Sequence, residues 1–291
     1  MSESSHLPNV VTTVDALRRT VAAERAVGFR IGLVPTMGAL HEGHLSLVRA
    51  SQRECECTVV SIFVNPSQFG PNEDLAKYPR TLEADLKALV GCGPVLVFAP
   101  DNAHVYRPRH ATWVEVGGAA EPLEGQLRPG HFRGVATVVL KLFQMVQPDI
   151  AFFGQKDYQQ VLVVRQMAAD LNVPVEIRTC PIVREADGLA MSSRNAYLQP
   201  EARRRACALS RSLKEAEQMV ATGQRNVEAI TCRMHEILQE AAPERIDYIA
   251  LVHPETLEPV TEIAGPTAVL LAVRIDGTRL IDNMLLEPPT F

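Results

Sequence analysis

The stretch RIGLVPTMGALHEGH, residues 30–44, joins a short apolar run to a polar loop that contains two glycines. An apolar run of this length is typical of a strand covered on both faces in a parallel sheet. Similar runs occur at residues 58–64, 95–98 and 150–153, and a further strand is expected to end at Val183. Helical spacing of apolar residues separates them, as at residues 82–90 and 135–146. This alternation predicts a Rossmann-like, doubly wound parallel sheet in an α/β domain.

The last third of the chain has a different pattern. Apolar residues at helical spacing predict one helix over residues 206–220 and another over 227–238. Three strand-like runs follow at 246–252, 268–275 and 280–286, and the last two are separated by Asp276-Gly277, a pair typical of hairpin turns. The pattern predicts a smaller α+β domain with antiparallel strands. We therefore expect two domains, residues 1–184 and 185–291.

The composition excludes several classes of protein. The chain has 291 residues, 46% of them hydrophobic and 22% charged, which is typical of a globular protein. The net charge of −5 and the lack of a basic stripe with interleaved aromatics argue against a nucleic-acid partner. No apolar run reaches the roughly 18 residues of a membrane span, and the first residues do not resemble a signal peptide. We expect a cytoplasmic protein without a membrane partner, with its six cysteines reduced.

Polar clusters follow four of the predicted strands. They lie at residues 36–44, 65–69, 154–160 and 191–195. Because ligands of open α/β sheets collect outside the carboxyl ends of the strands, we expect these clusters to form one composite site.

Two of these clusters carry charge suited to phosphate. His41 and His44 flank Gly43 where a helix is expected to begin, so both rings can face an anion at the helix N-terminus. Ordinary histidines at a helix start remain an alternative, and a metal site is disfavoured because HEGH lacks the HExxH spacing. Lys156 can supply a point charge to phosphate oxygens, and Asp157 can cap a helix or bind a ribose hydroxyl. A solvated turn is the alternative for this pair.

Hydroxyl, amide and guanidinium groups complete the predicted site. Ser192, Ser193 and Arg194 form a suitable cradle for a polyphosphate, although the composition is also that of a common loop. Gln68 and Gln160 would be surface amides in most proteins. Beside a nucleotide they become neutral hydrogen-bond donors for a hydroxylated carboxylic acid.

Five motifs, in this order and spacing, resemble those of the pantoate–β-alanine ligase family over nearly the whole chain: PTMGALHEGH, FVNPSQF, RPGHFRGVATVVLKLFQ, FFGQKDYQQ and GLAMSSRN. The resemblance implies an ATP-dependent ligase that forms a C–N bond. ATP and pantoate would give pantoyl adenylate and pyrophosphate, and β-alanine would then attack the acyl carbon to give pantothenate and AMP. It also implies Mg²⁺ and a homodimer, and the smaller domain is expected to act as a lid that protects the adenylate from water.

The resemblance also implies the roles of individual residues. The residues implied as catalytic are His41, His44, Lys156 and Arg194. Those implied in ATP binding are Pro35, Thr36, Met37, Gly38, His41, His44, Gly154, Lys156, Asp157, Val183, Met191, Ser192, Ser193 and Arg194. Those implied in pantoate binding are Met37, Asn65, Gln68 and Gln160. No residue is assigned as a metal ligand. Some relatives carry paired acids on the helix predicted over residues 82–90, and Ala84 replaces one of them here.

Two alternative functions are weighed. Another HxGH nucleotidyltransferase would use the same histidines and Lys156 with a phosphorylated acceptor. Such an acceptor calls for Arg or Lys around residues 65–69, where the sequence has none. A nucleotide-sensing or RNA-contacting module is disfavoured by the net charge of −5.

Overall fold

The computed structural model describes residues 8–71 and 73–288. These residues form two compact units. One unit runs to Gln155 and includes Gln159–Pro181, and the other contains Lys156–Tyr158 and continues from Ile182. The domain bounds predicted from the sequence, 1–184 and 185–291, stay a prediction.

The first unit is built on a parallel sheet of six strands in the order β1-β4-β3-β2-β5-β6. The strands are β1 (Asn9–Val11), β2 (Ile31–Thr36), β3 (Cys57–Ile62), β4 (Leu96–Phe98), β5 (Ile150–Gly154) and β6 (Glu176–Cys180). The helices are α1 (Val14–Ala26), α2 (Glu42–Glu54), α3 (Leu82–Val90), α4 (Asn102–Val105), α5 (Glu124–Leu127), α6 (His131–Val146) and α7 (Tyr158–Asp170). The predicted doubly wound sheet is confirmed.

Apolar side chains on both faces of this sheet explain its stability. Leu33, Val59 and Phe98 are buried in one cluster, and Val34 and Phe152 are buried in another. Burial on both faces is why these strands lack the alternation of polar and apolar residues seen in half-exposed sheets. Two details differ from the expectation: a strand of three residues, Asn9–Val11, was not anticipated, and the strand expected to end at Val183 ends at Cys180.

The second unit contains helices and a sheet of three antiparallel strands. The helices are α8 (Pro200–Ala206), α9 (Ala208–Ala221) and α10 (Val227–Glu240), and the strands are β7 (Arg245–Val252), β8 (Thr267–Ile275) and β9 (Thr278–Leu286). Asp276 and Gly277 both have positive φ, 51° and 72°, which fits the two-residue hairpin turn predicted between β8 and β9.

The helix predicted over residues 206–220 corresponds to α9, Ala208–Ala221, and the preceding helix α8, Pro200–Ala206, was not anticipated. The backbone N–H of Cys207 donates to the carbonyl of Arg205, while its thiol contacts the carbonyl of Arg203. In a continuous helix the N–H of Cys207 would donate to the carbonyl of Arg203. Here the thiol of Cys207 contacts that carbonyl instead, and α8 ends at Ala206. In the part of the chain that the structure describes, no helix combines the length and apolar character needed to cross a membrane.

Candidate active site

Four neighbouring strands end at the same edge of the parallel sheet. Strands β3, β2, β5 and β6 are adjacent and parallel. The predicted clusters at residues 36–44 and 65–69 follow β2 and β3, the cluster at 154–160 begins at the end of β5, and the cluster at 191–195 belongs to the second unit. The chain continues from β2 to β3 on one side, whereas β5 pairs with β2 on the other side. Such a change of direction marks the ligand-binding edge of doubly wound sheets.

The two histidines lie at the start of α2, directly after the loop that follows β2. His41 is the N-cap residue, and its ring centroid lies 4.1 Å from that of His44. The backbone N–H of His41 donates to Nδ1 of His44 over 3.4 Å. A neutral imidazole that accepts at Nδ1 carries its proton at Nε2. His44 can therefore act as an Nε2–H donor, which is the role expected of a group that stabilises phosphate charge.

The loop before the histidines is held by Asp85, a residue of α3. The carboxylate of Asp85 is 2% exposed and accepts hydrogen bonds from the backbone N–H groups of Ala39 (3.1 Å) and Leu40 (2.8 Å). Gly38 and Ala39 have positive φ, 81° and 49°. The N–H of Gly38 donates to Oγ1 of Thr36, whereas the N–H groups of the next two residues, Ala39 and Leu40, point to one anion. Here the anion is the chain's own carboxylate. Asp85 therefore fixes the approach to His41.

Three of the four residues predicted to bind pantoate lie together after β3 and β2. Asn65 is 1% exposed, and its Nδ2 donates to Oε1 of Gln68 (3.0 Å) and to the carbonyl of Gly134 (3.2 Å). Nε2 of Gln68 contacts Sδ of Met37 at 3.2 Å. The group thus offers amide and thioether surface without formal charge, which suits a hydroxylated carboxylic acid.

Tyr106 supports this group and was missed in the sequence analysis. Its hydroxyl donates to Oδ1 of Asn65 over 2.8 Å and lies 2.9 Å from Oγ of Ser67. Gln160, the fourth predicted pantoate residue, lies in the first turn of α7 and is half-buried. Its neighbour Gln159 is buried and binds the backbone of residues 119, 122 and 124, so this glutamine has a structural role.

Gly154 is the last residue of β5 in the first unit, and the other predicted nucleotide residues after it lie in the second unit. Nζ of Lys156 is 3.8 Å from Oδ1 of Asp157, and the carbonyl of Lys156 accepts a hydrogen bond from Asn283 over 2.9 Å. Val183 accepts a backbone hydrogen bond from Met191 over 3.0 Å. This bond places residue 183 beside Met191, the residue that precedes Ser192.

An ion-pair network holds the base of the segment that carries Ser192, Ser193 and Arg194. Glu185 binds the guanidinium of Arg203 at 2.6 Å and accepts from Nδ2 of Asn195 at 2.8 Å. The hydrogen bonds from Arg203 hold the pKa of the Glu185 carboxyl below its ordinary value. The backbone N–H of Arg194 donates to Oγ of Ser192, which shapes the turn.

Comparison with known proteins identifies the family. The sequence matches the profile of pantoate–β-alanine ligases over residues 9–285. The chain belongs to the pantoate–β-alanine ligase family. It is 52% identical to the pantothenate synthetase of Moorella thermoacetica over 278 residues, which cover 96% of this chain and 98% of that protein. The pantothenate synthetase of Acetivibrio thermocellus is also 52% identical, with 96% and 99% covered.

Solved structures of pantoate–β-alanine ligases have the same fold. The pantothenate synthetase of Thermus thermophilus superposes with a TM-score of 0.92 at 47% identity, covering 96% of this chain and all of that one. The enzyme of Francisella tularensis, described as complexed with β-γ ATP and β-alanine, gives a TM-score of 0.78 at 32% identity and covers 95% of this chain and 97% of that one. The predicted family, the predicted fold class and the prediction of a ligase that forms a C–N bond are confirmed.

Proposed function

We propose that this chain joins ATP and pantoate to form pantoyl adenylate with release of pyrophosphate, and then transfers the pantoyl group to β-alanine with release of AMP. The observation that carries the proposal is the uncharged group of Met37, Asn65 and Gln68 beside a histidine loop on the neighbouring strand. The relative whose structure is described with β-γ ATP and β-alanine supports the same substrates.

Charge is the main obstacle in the first step. A carboxylate oxygen of pantoate must attack the α-phosphorus of a tetra-anionic triphosphate, and the bond from that phosphorus to the bridging oxygen of pyrophosphate breaks. Pantoate is already ionised, so this step needs no general base. We assign His44, Lys156 and Arg194 to stabilising the charge that develops on the phosphates, with His41 in a similar role. Each is a hydrogen-bond donor when it meets an anion.

The residues assigned to the nucleotide and those assigned to pantoate differ in their chemistry. The nucleotide is assigned to Pro35, Thr36, Met37, Gly38, His41, His44, Gly154, Lys156, Asp157, Val183, Met191, Ser192, Ser193 and Arg194. Pantoate is assigned to Met37, Asn65, Gln68 and Gln160. Amides bind the hydroxyl and carboxylate groups of pantoate without adding charge that would compete for the phosphates.

In the second step the nitrogen of β-alanine attacks the acyl carbon. The C–N bond forms, the bond from the acyl carbon to the phosphate oxygen breaks, and AMP leaves. The ammonium group of β-alanine must lose a proton before it attacks, and no side chain is assigned as the acceptor.

The Mg²⁺ predicted from the resemblance does not fit a site built from protein side chains. In residues 8–71 and 73–288, no group of three or more His, Cys, Asp and Glu side chains could hold a metal ion. Asp85, the acid on the helix where relatives carry paired acids, has both oxygens on backbone N–H groups. Mg²⁺ is commonly bound largely through substrate phosphates, so the ion is proposed to arrive with ATP, and no step is assigned to it.

Pyrophosphate exchange into ATP tests the proposal. The protein is incubated with ATP, labelled pyrophosphate and a panel of small acids in the absence of any amine. Exchange that depends on pantoate is the expected result. Exchange that depends instead on a phosphorylated acceptor would show another nucleotidyltransferase. In a separate reaction that contains β-alanine, ¹⁸O from the pantoate carboxyl that never reaches AMP would exclude the adenylate.

Homodimerisation is proposed from the family resemblance alone. The molar mass of the protein in solution, measured by light scattering, is the corresponding test. A mass of about twice 32.0 kDa is expected.

A further inference from the structure

His131 lies at the start of α6, in the RPGH segment to which the proposed mechanism gives no role. Its side chain is buried, with 8% exposure. We propose that His131 is a positioning residue for pantoate binding: it fixes the backbone of Gln68, and Arg128 and Glu73 fix its own ring. The inference rests on the proposed function, because Gln68 is assigned there to pantoate.

The partners of the ring determine its tautomer. Nδ1 of His131 lies 2.8 Å from the carbonyl oxygen of Gln68, and Nε2 lies 3.0 Å from Nη1 of Arg128. A carbonyl only accepts and a guanidinium only donates, so Nδ1 carries the proton and Nε2 accepts. Burial, with the neighbouring charge of Arg128, lowers the pKa of His131 to about 4. The ring is therefore neutral and donates one hydrogen bond to the backbone of Gln68.

Arg128 is in turn held by acidic side chains. Its Nε and Nη2 bind the two carboxylate oxygens of Glu73, both at 2.7 Å, and Glu124 lies 3.7 Å from Nη1. A bidentate pair of this kind fixes the plane of the guanidinium. The orientation of the His131 ring is thus set by a chain of partly or fully buried contacts rather than by a single bond.

The turn at residues 65–68 contacts α6 at two further points. Asn65 donates to the carbonyl of Gly134, and the absent side chain of Gly134 leaves room for the backbone of Ser67. The third contact is the hydrogen bond from His131 to the backbone carbonyl of Gln68. Without it, the residue whose Nε2 contacts Met37 loses its backbone anchor.

Asparagine and glutamine variants of His131 separate this role from simple packing. Asparagine places an N–H donor near the position of Nδ1, whereas glutamine places its amide near Nε2. In pantoate-dependent pyrophosphate exchange, His131→Gln should raise the KM for pantoate about tenfold or more and leave the KM for ATP within about twofold. His131→Asn should stay within about threefold of the wild type. His104→Gln, at an exposed site on α4, is the matched control.

A double variant tests whether the effect passes through Gln68. Gln68→Ala alone should raise the KM for pantoate. Adding His131→Gln should raise it no further, because residues that act as one unit are not additive. Multiplied effects, equal changes in both KM values, or an equal loss in the Asn and Gln variants would overturn the inference.

Two controls keep the result interpretable. If His131→Gln does not fold, Arg128→Lys should give the same selective rise in the KM for pantoate, because lysine keeps the charge opposite Glu73 but lacks the planar fork. Unchanged KM values in that variant would also overturn the inference. Absence of pantoate-dependent exchange in the wild-type protein would instead refute the proposed function.

Discussion

The contact between α6 and the turn after β3 allows a sharp test with Gly134→Ala. A Cβ atom on residue 134 would lie 2.3 Å from the carbonyl oxygen of Ser67, 2.5 Å from its carbonyl carbon and 2.7 Å from Cα of Gln68. Cβ atoms essentially never come closer than 3.0 Å to such atoms, so the turn must retreat by at least 0.7 Å. All three obstructing atoms belong to the backbone, and no side-chain rotation can relieve the clash.

The expected cost is larger in activity than in stability. Overpacking of this kind destabilises by about 1–3 kcal/mol, and the better helix propensity of alanine offsets up to about 1 kcal/mol of it. With the full propensity gain, a net loss of about 0–2 kcal/mol in the free energy of unfolding follows. A displacement of about 1 Å in a residue that positions substrate can lower catalytic efficiency about a hundredfold. We therefore expect kcat/KM for pantoate to fall between about tenfold and a hundredfold.

Two measurements and one control decide the outcome. Urea unfolding gives the change in stability, and pyrophosphate exchange at varied pantoate and varied ATP gives the kinetic change. Gly91→Ala is the control, because residue 91 has an α-helical conformation and its Cβ would meet nothing closer than 3.7 Å. Gly134→Ala with wild-type stability and a wild-type KM for pantoate would refute the argument. A loss equal for both substrates would refute the assignment of the turn to pantoate.

Further predictions concern the histidine loop, the phosphate charges and pH. Asp85→Ala should lower the free energy of unfolding, measured by urea titration, by about 2–4 kcal/mol, because two backbone N–H groups lose their carboxylate partner. The control Glu83→Ala, on the exposed face of the same helix, should change it by less than about 0.5 kcal/mol. His44→Ala and Lys156→Ala should each reduce turnover about a hundredfold or more with unchanged circular dichroism, and a near-normal rate in either variant would refute its assigned role. Because Glu185 has a lowered folded-state pKa, its stabilising effect is present above the ordinary value of 4.5 and is lost as pH falls through the folded value. The stability difference between wild type and Glu185→Gln should therefore close in acid, and a difference that widens in acid would contradict this.

The sequence alone was sufficient for the fold class, and it also led to a prediction of where the site lies. Apolar runs separated by helical spacing led to the parallel sheet, and Asp276-Gly277 led to the hairpin between β8 and β9. Polar clusters in the predicted loops after the strands led to the predicted composite site, because parallel strands end at a common edge of the sheet. These inferences depend on periodicity and turn chemistry, which are local properties of the chain.

Hydrogen-bond partners of buried polar groups were decided only by the tertiary structure. Asp85 binds the backbone N–H of Ala39, 46 positions earlier, and His131 binds the carbonyl of Gln68, 63 positions earlier. Gln159 and Gln160 are neighbours with the same side chain, yet only packing shows that Gln159 is the structural one. A buried polar group must find its partner wherever the fold places one, since leaving it unpaired costs about 1–3 kcal/mol. No periodic pattern in the sequence indicates how far along the chain the partner lies. The residues that position the predicted site are therefore identified only from the folded structure.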